Sequence, residues 1–384
     1  MRKIIIHTES RTSGGIMVKV KECTYEDLEQ KLSKRPFICF GQGEKFHEFL
    51  QRFPNGERLM AIINNYKTDD YFEYDGRKLP VYSISEIICT NIQLNEALII
   101  ITSLRNAKDM ISQLDLYREF EGAECYIPEV IALHADDVLP LPLTTEETIP
   151  RTIHYFWFGP NEMPDQFKKN IESWYKYCPD YKIILWNEKN YDISKCSYME
   201  QAYRAKKWGF VPDYARIDVV NTYGGIYLDT DVELVKPLDS LLRYSMFCGF
   251  ESGNLANDFI NFGQGFGSVS NSKILQDMMD DYKRQSFINE DGSLNLVASP
   301  VYQTRILKKY GLKADGRTQQ GNGFVALSSE YLSPFDTRGN GKVTDKTISI
   351  HQYAATWMEK SKLTGRKIVH DQYKWIQSRI NGEG

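Results

Sequence analysis

The sequence predicts an α/β protein made of two successive domains. Short apolar runs typical of strands alternate with longer segments of helical character along most of the 384 residues, and such alternation indicates parallel sheets. A chain of this length fits two domains. Near its middle, residues 134–150 are rich in proline and polar side chains and show no periodicity. We therefore expect one domain over residues 1–140 and a second over residues 148–384.

The composition is that of an ordinary globular protein, with 42% hydrophobic and 26% charged residues. A net charge of −4 provides no general attraction to nucleic acid. Seven scattered cysteines without CxxC spacing argue against a disulfide framework or a zinc site and favour a reducing compartment. The apolar run at the N-terminus is too short for a signal peptide or a membrane span. We expect a cytoplasmic protein and leave peripheral attachment to the membrane open.

The first domain begins its pattern with a strand, a glycine turn and a helix. Its strands are predicted at 4–6, 18–20, 36–40, 60–65, 81–86, 97–101 and 124–127, and its helices at 25–32, 44–53 and 107–120. The strand at 36–40 followed by Gly41-Gln-Gly43 resembles the opening of a Rossmann-type unit. Phe46 replaces the third glycine, and Asn64 and Asn65 stand where an acidic residue would bind ribose. We expect the turn to serve packing, and a working dinucleotide site remains the alternative.

The second domain repeats the alternation. Its strands are predicted at 149–159, 178–187, 226–228, 246–251 and 348–357, and its helices at 165–177, 198–208, 212–223, 272–282, 298–310 and 366–384. Three strand ends, at Trp157, Asn187 and Asp229, are candidates to converge on one cleft. The glycine-rich segment 261–268 is expected to be a flexible loop or a plain turn rather than a phosphate cradle. We expect the final helix to pack on its own domain.

An Asp-X-Asp motif dominates the second domain. After the Gly224-Gly225 turn, a short buried strand over 226–228 leads to Asp229 and Asp231. Because a strand repeats every two residues, both carboxylates should point the same way. Two adjacent like charges need a counter-charge, and Mg²⁺ or Mn²⁺ bound by hard oxygens would leave positions open for phosphate. An acidic turn that faces water is the alternative.

Several motifs in order resemble one family, the DXD-containing sugar transferases of glycosyltransferase family 32, which includes capsular polysaccharide enzymes. The resemblance covers a little over half of the chain and extends more distantly to the catalytic domains of large clostridial glucosylating toxins. The matching pieces are Ile149–Gly159, Ser173-Trp174, Pro179–Tyr181, Leu185–Asn187, Pro212–Arg216, Tyr223–Asp231 and His351–Trp357. The resemblance implies a Rossmann-like domain of the GT-A type and transfer of a sugar with retention of configuration.

The same resemblance implies roles for individual residues in binding the nucleotide-sugar donor. Trp157 would stack on or flank the nucleobase, and Phe158 next to it would belong to the donor site. Tyr227 and Asp229 would contact ribose or sugar, and the Thr356-Trp357 loop would close on metal and diphosphate. The full donor-binding set that the resemblance implies is Trp157, Phe158, Asp213, Arg216, Tyr227, Asp229, Thr356 and Trp357.

The implied catalytic set is Asp213, Arg216, Asp229 and Asp231. Asp213 and Arg216, three residues apart on one helical face, would grip the donor sugar and its phosphate, although a local helix ion pair explains the spacing equally well. Asp229 and Asp231 would bind the metal ion. His351 would join them, or would serve only as a structural histidine.

The function expected from the resemblance is metal-dependent transfer of a hexose in surface polysaccharide synthesis, with Mn²⁺ or Mg²⁺ as cofactor. A UDP-sugar is the favoured donor and GDP-mannose the alternative, and the acceptor is a glycan or a lipid-linked glycan. A catalytically inactive module that binds a nucleotide sugar or a glycan is the competing interpretation. A third makes residues 1–135 the active part, as a nucleotide-dependent oxidoreductase or sensor, but the incomplete glycine pattern weakens it.

Overall fold

A computed structural model describes residues 18–53, 56–131, 137–251, 259–337, 341, 343–353 and 360–382. Contacts divide the chain into two units, one comprising Met1–Cys23, Asp27–Pro128 and Asp371–Gly384 and the other Thr24–Glu26 and Glu129–His370. Residues 129–140, which the prediction placed in the first domain, therefore belong to the second unit. Among the described residues, no helix is long and apolar enough to span a membrane.

The first part of the chain forms a mostly parallel sheet with helices between its strands. Its strands are β1 (Lys19–Val20), β2 (Phe37–Phe40), β3 (Leu59–Ile63), β4 (Tyr71–Tyr74), β5 (Arg77–Tyr82), β6 (Leu98–Ile101) and β7 (Glu124–Tyr126), and its helices are α1 (Tyr25–Lys34), α2 (Glu44–Arg52), α3 (Ile84–Ile87) and α4 (Ala107–Leu114). The strand order is β1-β7-β6-β2-β3-β5-β4. Only β4 runs antiparallel to its neighbour among these strands. The central strands β2 and β6 are buried at every position, as their continuous apolar sequences predict.

Two predictions for this part are corrected. Residues 81–86 were expected to be one strand, but the strand ends at Tyr82 and helix α3 begins behind the N-cap Ser83, which forms a capping box with Glu86. The hairpin of β4 and β5 was not predicted, although Asp75 and Gly76 both have positive φ angles, as its tight turn requires. The strand predicted at 4–6 lies outside the described residues.

The second part of the chain forms a seven-stranded mixed sheet and a separate two-stranded sheet. Its strands are β8 (Thr152–Phe156), β9 (Lys182–Trp186), β10 (Gly225–Tyr227), β11 (Val232–Leu234), β12 (Met246–Gly249), β13 (Phe266–Ser268), β14 (Gln319–Gly321), β15 (Phe324–Leu327) and β16 (Ser349–His351). Its helices are α5 (Asp165–Tyr177), α6 (Ser197–Arg204), α7 (Pro212–Tyr223), α8 (Lys273–Lys283), α9 (Ser299–Lys309), α10 (Ser329–Leu332) and α11 (Lys360–Asn381). The large sheet has the order β14-β15-β12-β13-β10-β8-β9, and β11 pairs with β16 in the small one. The predicted α/β class is confirmed.

The glycine-rich segment 261–268 was predicted to be a flexible loop or a plain turn, and this prediction is wrong. After a short 3₁₀ turn over Phe262–Gln264, its end forms strand β13, which is buried and pairs with β10 and β12. Gly267 makes this packing possible, because a Cβ atom there would lie 2.5 Å from the ring of Phe247. The glycines therefore mark a close approach inside the sheet.

The C-terminal residues also differ from the prediction. Residues 371–384 were placed in the second domain but belong to the first unit. Ile376 is fully buried, Arg379 forms an ion pair with Asp115 at 2.9 Å, and the ammonium group of Lys108 lies over the ring of Trp375. Apolar burial and ion pairing with residues of the first unit explain the assignment.

Helix α5 holds strand β11 in place through two hydrogen bonds. The indole N–H of the fully buried Trp174 donates to the carbonyl oxygen of Val232 at 2.8 Å. The backbone N–H of Leu234 donates to Ser173 Oγ at 2.9 Å. The Ser-Trp pair therefore anchors β11 to a helix of the same unit.

Replacement of Trp174 by Phe should destabilise the second unit by about 2–4 kcal/mol, because it leaves the Val232 carbonyl without its donor and a void beside β11. Denaturant unfolding followed by circular dichroism measures this loss. The matched control is Tyr175→Phe on the same helix, where the side chain is 58% exposed. Equal stability of the two variants would contradict the role given to the indole N–H.

Candidate active site

Asp229 and Asp231 lie in the turn between β10 and β11. Strand β10 ends at Tyr227, so strand alternation does not set the direction of the two carboxylates. The turn is closed instead by a hydrogen bond from the Val232 N–H to the Asp229 carbonyl oxygen at 3.1 Å. The two side chains still come together, but a turn brings them together rather than a strand.

His351 completes a cluster with the two aspartates. Strand β16 places it opposite Val232 in the antiparallel ladder, and its Nε2 atom lies 3.2 Å from Asp231 Oδ1. One ligand atom from each of Asp229, Asp231 and His351 lies within 4.8 Å of the others. Burial lowers the pKa of His351, but the carboxylates of Asp231, Asp229 and Glu251 outweigh this effect, and the net pKa is raised.

The donor set of this cluster fits a divalent cation. The side chains of Asp229, Asp231 and His351 are 30%, 15% and 6% exposed, so the charges are partly removed from water. Burial, and then repulsion from Asp231, raises the pKa of Asp229 against the opposing effect of Arg216. Carboxylate oxygens are the ligands that Mg²⁺ and Mn²⁺ prefer, and a cation between them would relieve the repulsion. Asp229, Asp231 and His351 are the residues that would hold it.

Arg216 connects the Asp213 pair to the cluster. Its guanidinium is buried on α7, donates to Asp213 Oδ1, lies 5.2 Å over the ring of Tyr227 and stands 3.8 Å from Asp229 Oδ1. The Tyr227 hydroxyl donates to the same Asp229 oxygen at 2.5 Å. Burial raises the pKa of Asp213 to about 6, although Arg216 opposes the shift. Asp213 and Arg216 do form a local helix ion pair, and the guanidinium of that pair also lies close to Asp229 of the acidic cluster.

Gly263 allows Asp229 to occupy its position. The Asp229 N–H donates to the Gly263 carbonyl oxygen at 3.0 Å. A Cβ atom on Gly263 would lie 2.3 Å from Asp229 Oδ2 and 3.1 Å from Arg216 Nη1. Sequence reasoning missed this residue, since one glycine in a glycine-rich segment gives no sign of which carboxylate approaches it.

A buried histidine fixes the turn that precedes β10. Gly224 and Gly225 have φ angles of 67° and 106°, a region that favours glycine. His154 Nδ1 accepts a hydrogen bond from the indole N–H of Trp186 at 3.1 Å, so its Nε2 carries the proton and donates to the Gly224 carbonyl oxygen at 2.9 Å. Burial lowers the pKa of His154 to about 4. The neutral imidazole therefore links β9 to the entrance of β10.

Four predicted site residues remain, and the structure describes two of them, Trp157 and Phe158. Trp157 follows β8, is half-buried, donates its indole N–H to the Asn161 carbonyl oxygen at 2.7 Å and packs edge-on against Phe167. Phe158, predicted to bind the donor, is instead buried in the hydrophobic core and stacks on Phe156. Thr356 and Trp357 lie outside the described residues.

Strands β8, β9 and β10 are parallel, so Trp157, Asn187 and Asp229 follow strands that end at the same edge of the sheet. Strand β8 lies between the other two. The Asn187 side chain accepts a hydrogen bond from the Lys189 N–H at 2.9 Å, within its own turn. We assign it a role in that turn.

Three polar residues near the cluster were not predicted. Asn170 Nδ2 donates to the Thr230 carbonyl oxygen at 2.9 Å, and Gln352 Nε2 donates to Asn170 Oδ1 at 3.1 Å. Glu251 follows β12 and has side-chain hydrogen bonds with Tyr353 and Asn261, and its burial raises its pKa. The sequence offered one indication of Asn170, because it is a polar residue on the apolar face of helix α5, which carries Phe167, Ile171 and Trp174.

Comparison with known proteins identifies the region around these residues. Residues 164–248 match the family model described as the glycosyltransferase sugar-binding region containing DXD motif. That range includes Asp213, Arg216, Asp229 and Asp231, so the predicted resemblance to DXD glycosyltransferases is confirmed there.

Curated relatives and a solved structure are similar to parts of the chain. Inositol phosphoceramide mannosyltransferase 3 of Schizosaccharomyces pombe is 28% identical over 144 residues, or 35% of this chain and 39% of that protein. A mimivirus protein named as an uncharacterized glycosyltransferase is 26% identical over 192 residues, or 48% of this chain and 73% of that protein. The PaToxG glycosyltransferase structure has a TM-score of 0.34 and 20% identity, over 42% of this chain and 69% of that one. The chain thus spans about two-fifths of the length of the S. pombe relative.

Replacement of Gly263 by Ala should weaken Mn²⁺ binding by about tenfold or more, because the new methyl group must push the Asp229 carboxylate away, and tenfold corresponds to about 1.4 kcal/mol. Isothermal titration with Mn²⁺ measures the affinity. Gly43→Ala in the first unit is the matched control, since its φ is −85° and a Cβ atom there meets nothing within 4 Å. Unchanged Mn²⁺ affinity in Gly263→Ala would contradict the geometry.

The contribution of His154 to the stability of the second unit should be lost as the pH decreases from about 6.5 to about 4. His154 has a folded-state pKa of about 4, below its ordinary value of 6.5, so the unfolded chain takes up its proton first and the loss reaches about 3 kcal/mol. Gln at position 154 can donate to Gly224 and accept from Trp186 without titrating. Chemical denaturation across this range should show the difference in stability between the two proteins changing in favour of His154→Gln as the pH falls, and parallel curves would refute the assignment.

Proposed function

We propose that the protein is a metal-dependent, retaining glycosyltransferase that moves a hexose from a nucleotide-diphosphate sugar to a glycan or lipid-linked acceptor. In this proposal the second unit is the catalytic domain, of the GT-A type. One observation carries it: Asp229, Asp231 and His351 converge next to the buried guanidinium of Arg216. The match of residues 164–248 to the DXD sugar-binding region supports it.

The chemistry requires a site that accepts a diphosphate leaving group. A Mn²⁺ or Mg²⁺ ion held by Asp229 and Asp231, with His351 as a third ligand, would neutralise the negative charge that develops on the diphosphate. Arg216 supplies a fixed positive charge 3.8 Å from Asp229 Oδ1. Its guanidinium is already oriented by Asp213 and by the Pro212 carbonyl oxygen, so little reorganisation is needed during the reaction.

Retention is carried over from the family resemblance, and a front-face route is favoured because none of the described site residues outside the Asp-X-Asp pair stands out as a carboxylate nucleophile. Asp213 pairs with Arg216, and the Glu251 side chain is held by hydrogen bonds with Tyr353 and Asn261. The bond between the sugar C1 and the diphosphate oxygen breaks while the acceptor oxygen bonds to C1 on the same face. The acceptor proton passes to an oxygen of the leaving diphosphate. The protein contributes positioning and charge stabilisation.

The donor and the acceptor are the parts of the proposal that rest on resemblance. A UDP-hexose and GDP-mannose are the two candidate donors, and the mannosyltransferase names of the curated relatives favour mannose. The inositol phosphoceramide in those names favours a lipid-linked acceptor, in keeping with the assembly of a surface polysaccharide on a lipid carrier. Seven cysteines, none in a disulfide, favour the cytoplasm, and peripheral attachment to the inner face of the membrane belongs to the same proposal.

Release of nucleoside diphosphate from a panel of UDP- and GDP-sugars, with Mn²⁺, with Mg²⁺ and with EDTA, tests the function. We expect hydrolysis of one donor that requires the metal ion and falls by at least about 100-fold in Asp231→Asn, since an interaction with charge in the transition state is worth about 2.7–4 kcal/mol. Glu290→Gln removes an exposed carboxylate elsewhere in the second unit and is the matched control.

Two outcomes would count against this function. Binding of a nucleotide sugar, seen as a rise in melting temperature, without any release would support the inactive binding module instead. Silence across the panel in both assays would exclude both interpretations for these donors. Circular dichroism of Asp231→Asn establishes that loss of activity does not reflect loss of the fold.

A further inference from the structure

The first unit contains a cavity of about 440 Å³ that no step of the proposed reaction uses. It is lined by residues 40–45, 63–66, 102, 103, 106, 109, 110 and 113, which lie at or after the ends of strands β2, β3 and β6. These three strands are parallel neighbours, so the cavity lies at the carboxyl edge of the sheet. Its volume falls within the range of about 300–1,000 Å³ that is usual for small-molecule sites.

The position of the cavity coincides with a reversal in strand order. From β2 the chain proceeds outwards through β3 to β5, and then returns to place β6 on the other side of β2, followed by β7. The crevice between β2 and β6 is therefore the topological switch point of this sheet. In open α/β sheets this is where ligands bind.

The two glycines of the Gly41-Gln-Gly43 turn are required for different reasons. Gly41 has a φ angle of 104°, and a Cβ atom there would lie 2.7 Å from Thr102 Oγ1, so the fold itself explains it. Gly43 has an ordinary φ of −85°, and a Cβ atom there would meet nothing within 4 Å. Packing accounts for the first glycine but leaves the second without a structural reason.

Gly43 is also the N-cap of α2, where no side chain accepts a hydrogen bond from the helix. Ser, Thr, Asn or Asp would cap a helix better. A glycine at this point leaves the first turn of α2 open to the cavity, which Gly43, Glu44 and Lys45 line. A phosphate group could then approach the backbone closely, where N–H groups and the helix dipole favour an anion.

The other lining residues favour a nucleoside phosphate over a dinucleotide. Asn64 and Asn65, at the end of β3, bond to the side chains of Gln42 and Gln113, and no carboxylate stands there to bind the ribose of a dinucleotide. Phe46 is fully buried against Phe72, with ring centroids 5.2 Å apart, and fills the position of the third glycine.

An exposed carboxylate is available at another part of the lining. Asp109, on helix α4 after β6, lines the cavity and is exposed to solvent. A carboxylate accepts hydrogen bonds from two neighbouring hydroxyl groups, which is the chemistry that ribose offers. The cavity thus has an anion position at one end and a hydroxyl acceptor on a different helix.

We propose that this cavity is a second, independent ligand site that binds a nucleoside phosphate, with the phosphate at the N-terminus of α2 beside Gly43 and the ribose towards Asp109. The site needs no metal ion and does not depend on the function proposed for the second unit.

The test uses the full chain carrying Asp231→Asn, in EDTA, so that the metal cluster contributes no binding. Isothermal titration with nucleoside mono- and diphosphates, NAD⁺ and inorganic phosphate is compared in this protein and after the further change Gly43→Asp. The new carboxylate would occupy the phosphate position, and we expect the affinity to fall by about tenfold or more. Because Asp is a favoured N-cap residue, the melting temperature should not decrease.

Gln51→Glu adds the same charge at the far end of α2, outside the cavity, and should leave the affinity unchanged within about twofold. Loss of nucleoside phosphate binding in Gly43→Asp alone supports the proposal. Failure of every nucleoside phosphate to bind, or equal binding with and without Gly43→Asp, overturns it. Tighter binding of NAD⁺ than of any mononucleotide, or equal binding of inorganic phosphate, overturns the assigned class of ligand.

Discussion

Repulsion between the carboxylates of Asp229 and Asp231 is the constraint on which the candidate active site depends. Unit charges a few ångströms apart in a partly desolvated site interact by several kcal/mol, so the fold must offset the repulsion. The buried guanidinium of Arg216, on helix α7, offsets part of this repulsion. A buried positive charge itself needs a partner, and Asp213 provides it. When Asp213, Arg216, Asp229 and Asp231 are all ionised, they carry three negative charges and one positive charge. The excess matches the charge of one divalent cation.

Residues that take no part in the proposed chemistry hold much of this arrangement in place. Ser173 and Trp174 hold β11, the Trp186–His154 pair holds the entrance of β10, and Gly263 makes room for Asp229. Several of these residues belong to motifs that carry the family resemblance. Their identity follows from the need to place two aspartates accurately on a short turn, where a shift of about 1 Å would separate the ligand atoms.

The local parts of this structure could be predicted from sequence. Helices α5 and α7 have the predicted bounds, and α7 begins with Pro212 and ends at Gly224, which are start and stop signals that act within a few residues. The Asp-X-Asp pair is equally local. Strand β13 was missed because its glycines are explained only by the ring of Phe247, which lies on another strand. Gly263, Asn170 and the burial of Phe158 likewise depend on tertiary contacts that no short segment encodes.

The pairing of β11 with β16 makes the candidate metal cluster a cross-link between distant parts of the chain. Asp231 directly precedes one strand, and His351 ends the other, more than a hundred residues later. Two-stranded ladders of three residues are marginal by themselves. By thermodynamic linkage, any cation that binds both strands together more tightly than either alone must also oppose their separation. For a cation that binds there, the order of this ladder and the affinity of the site for the cation would be two measures of one equilibrium.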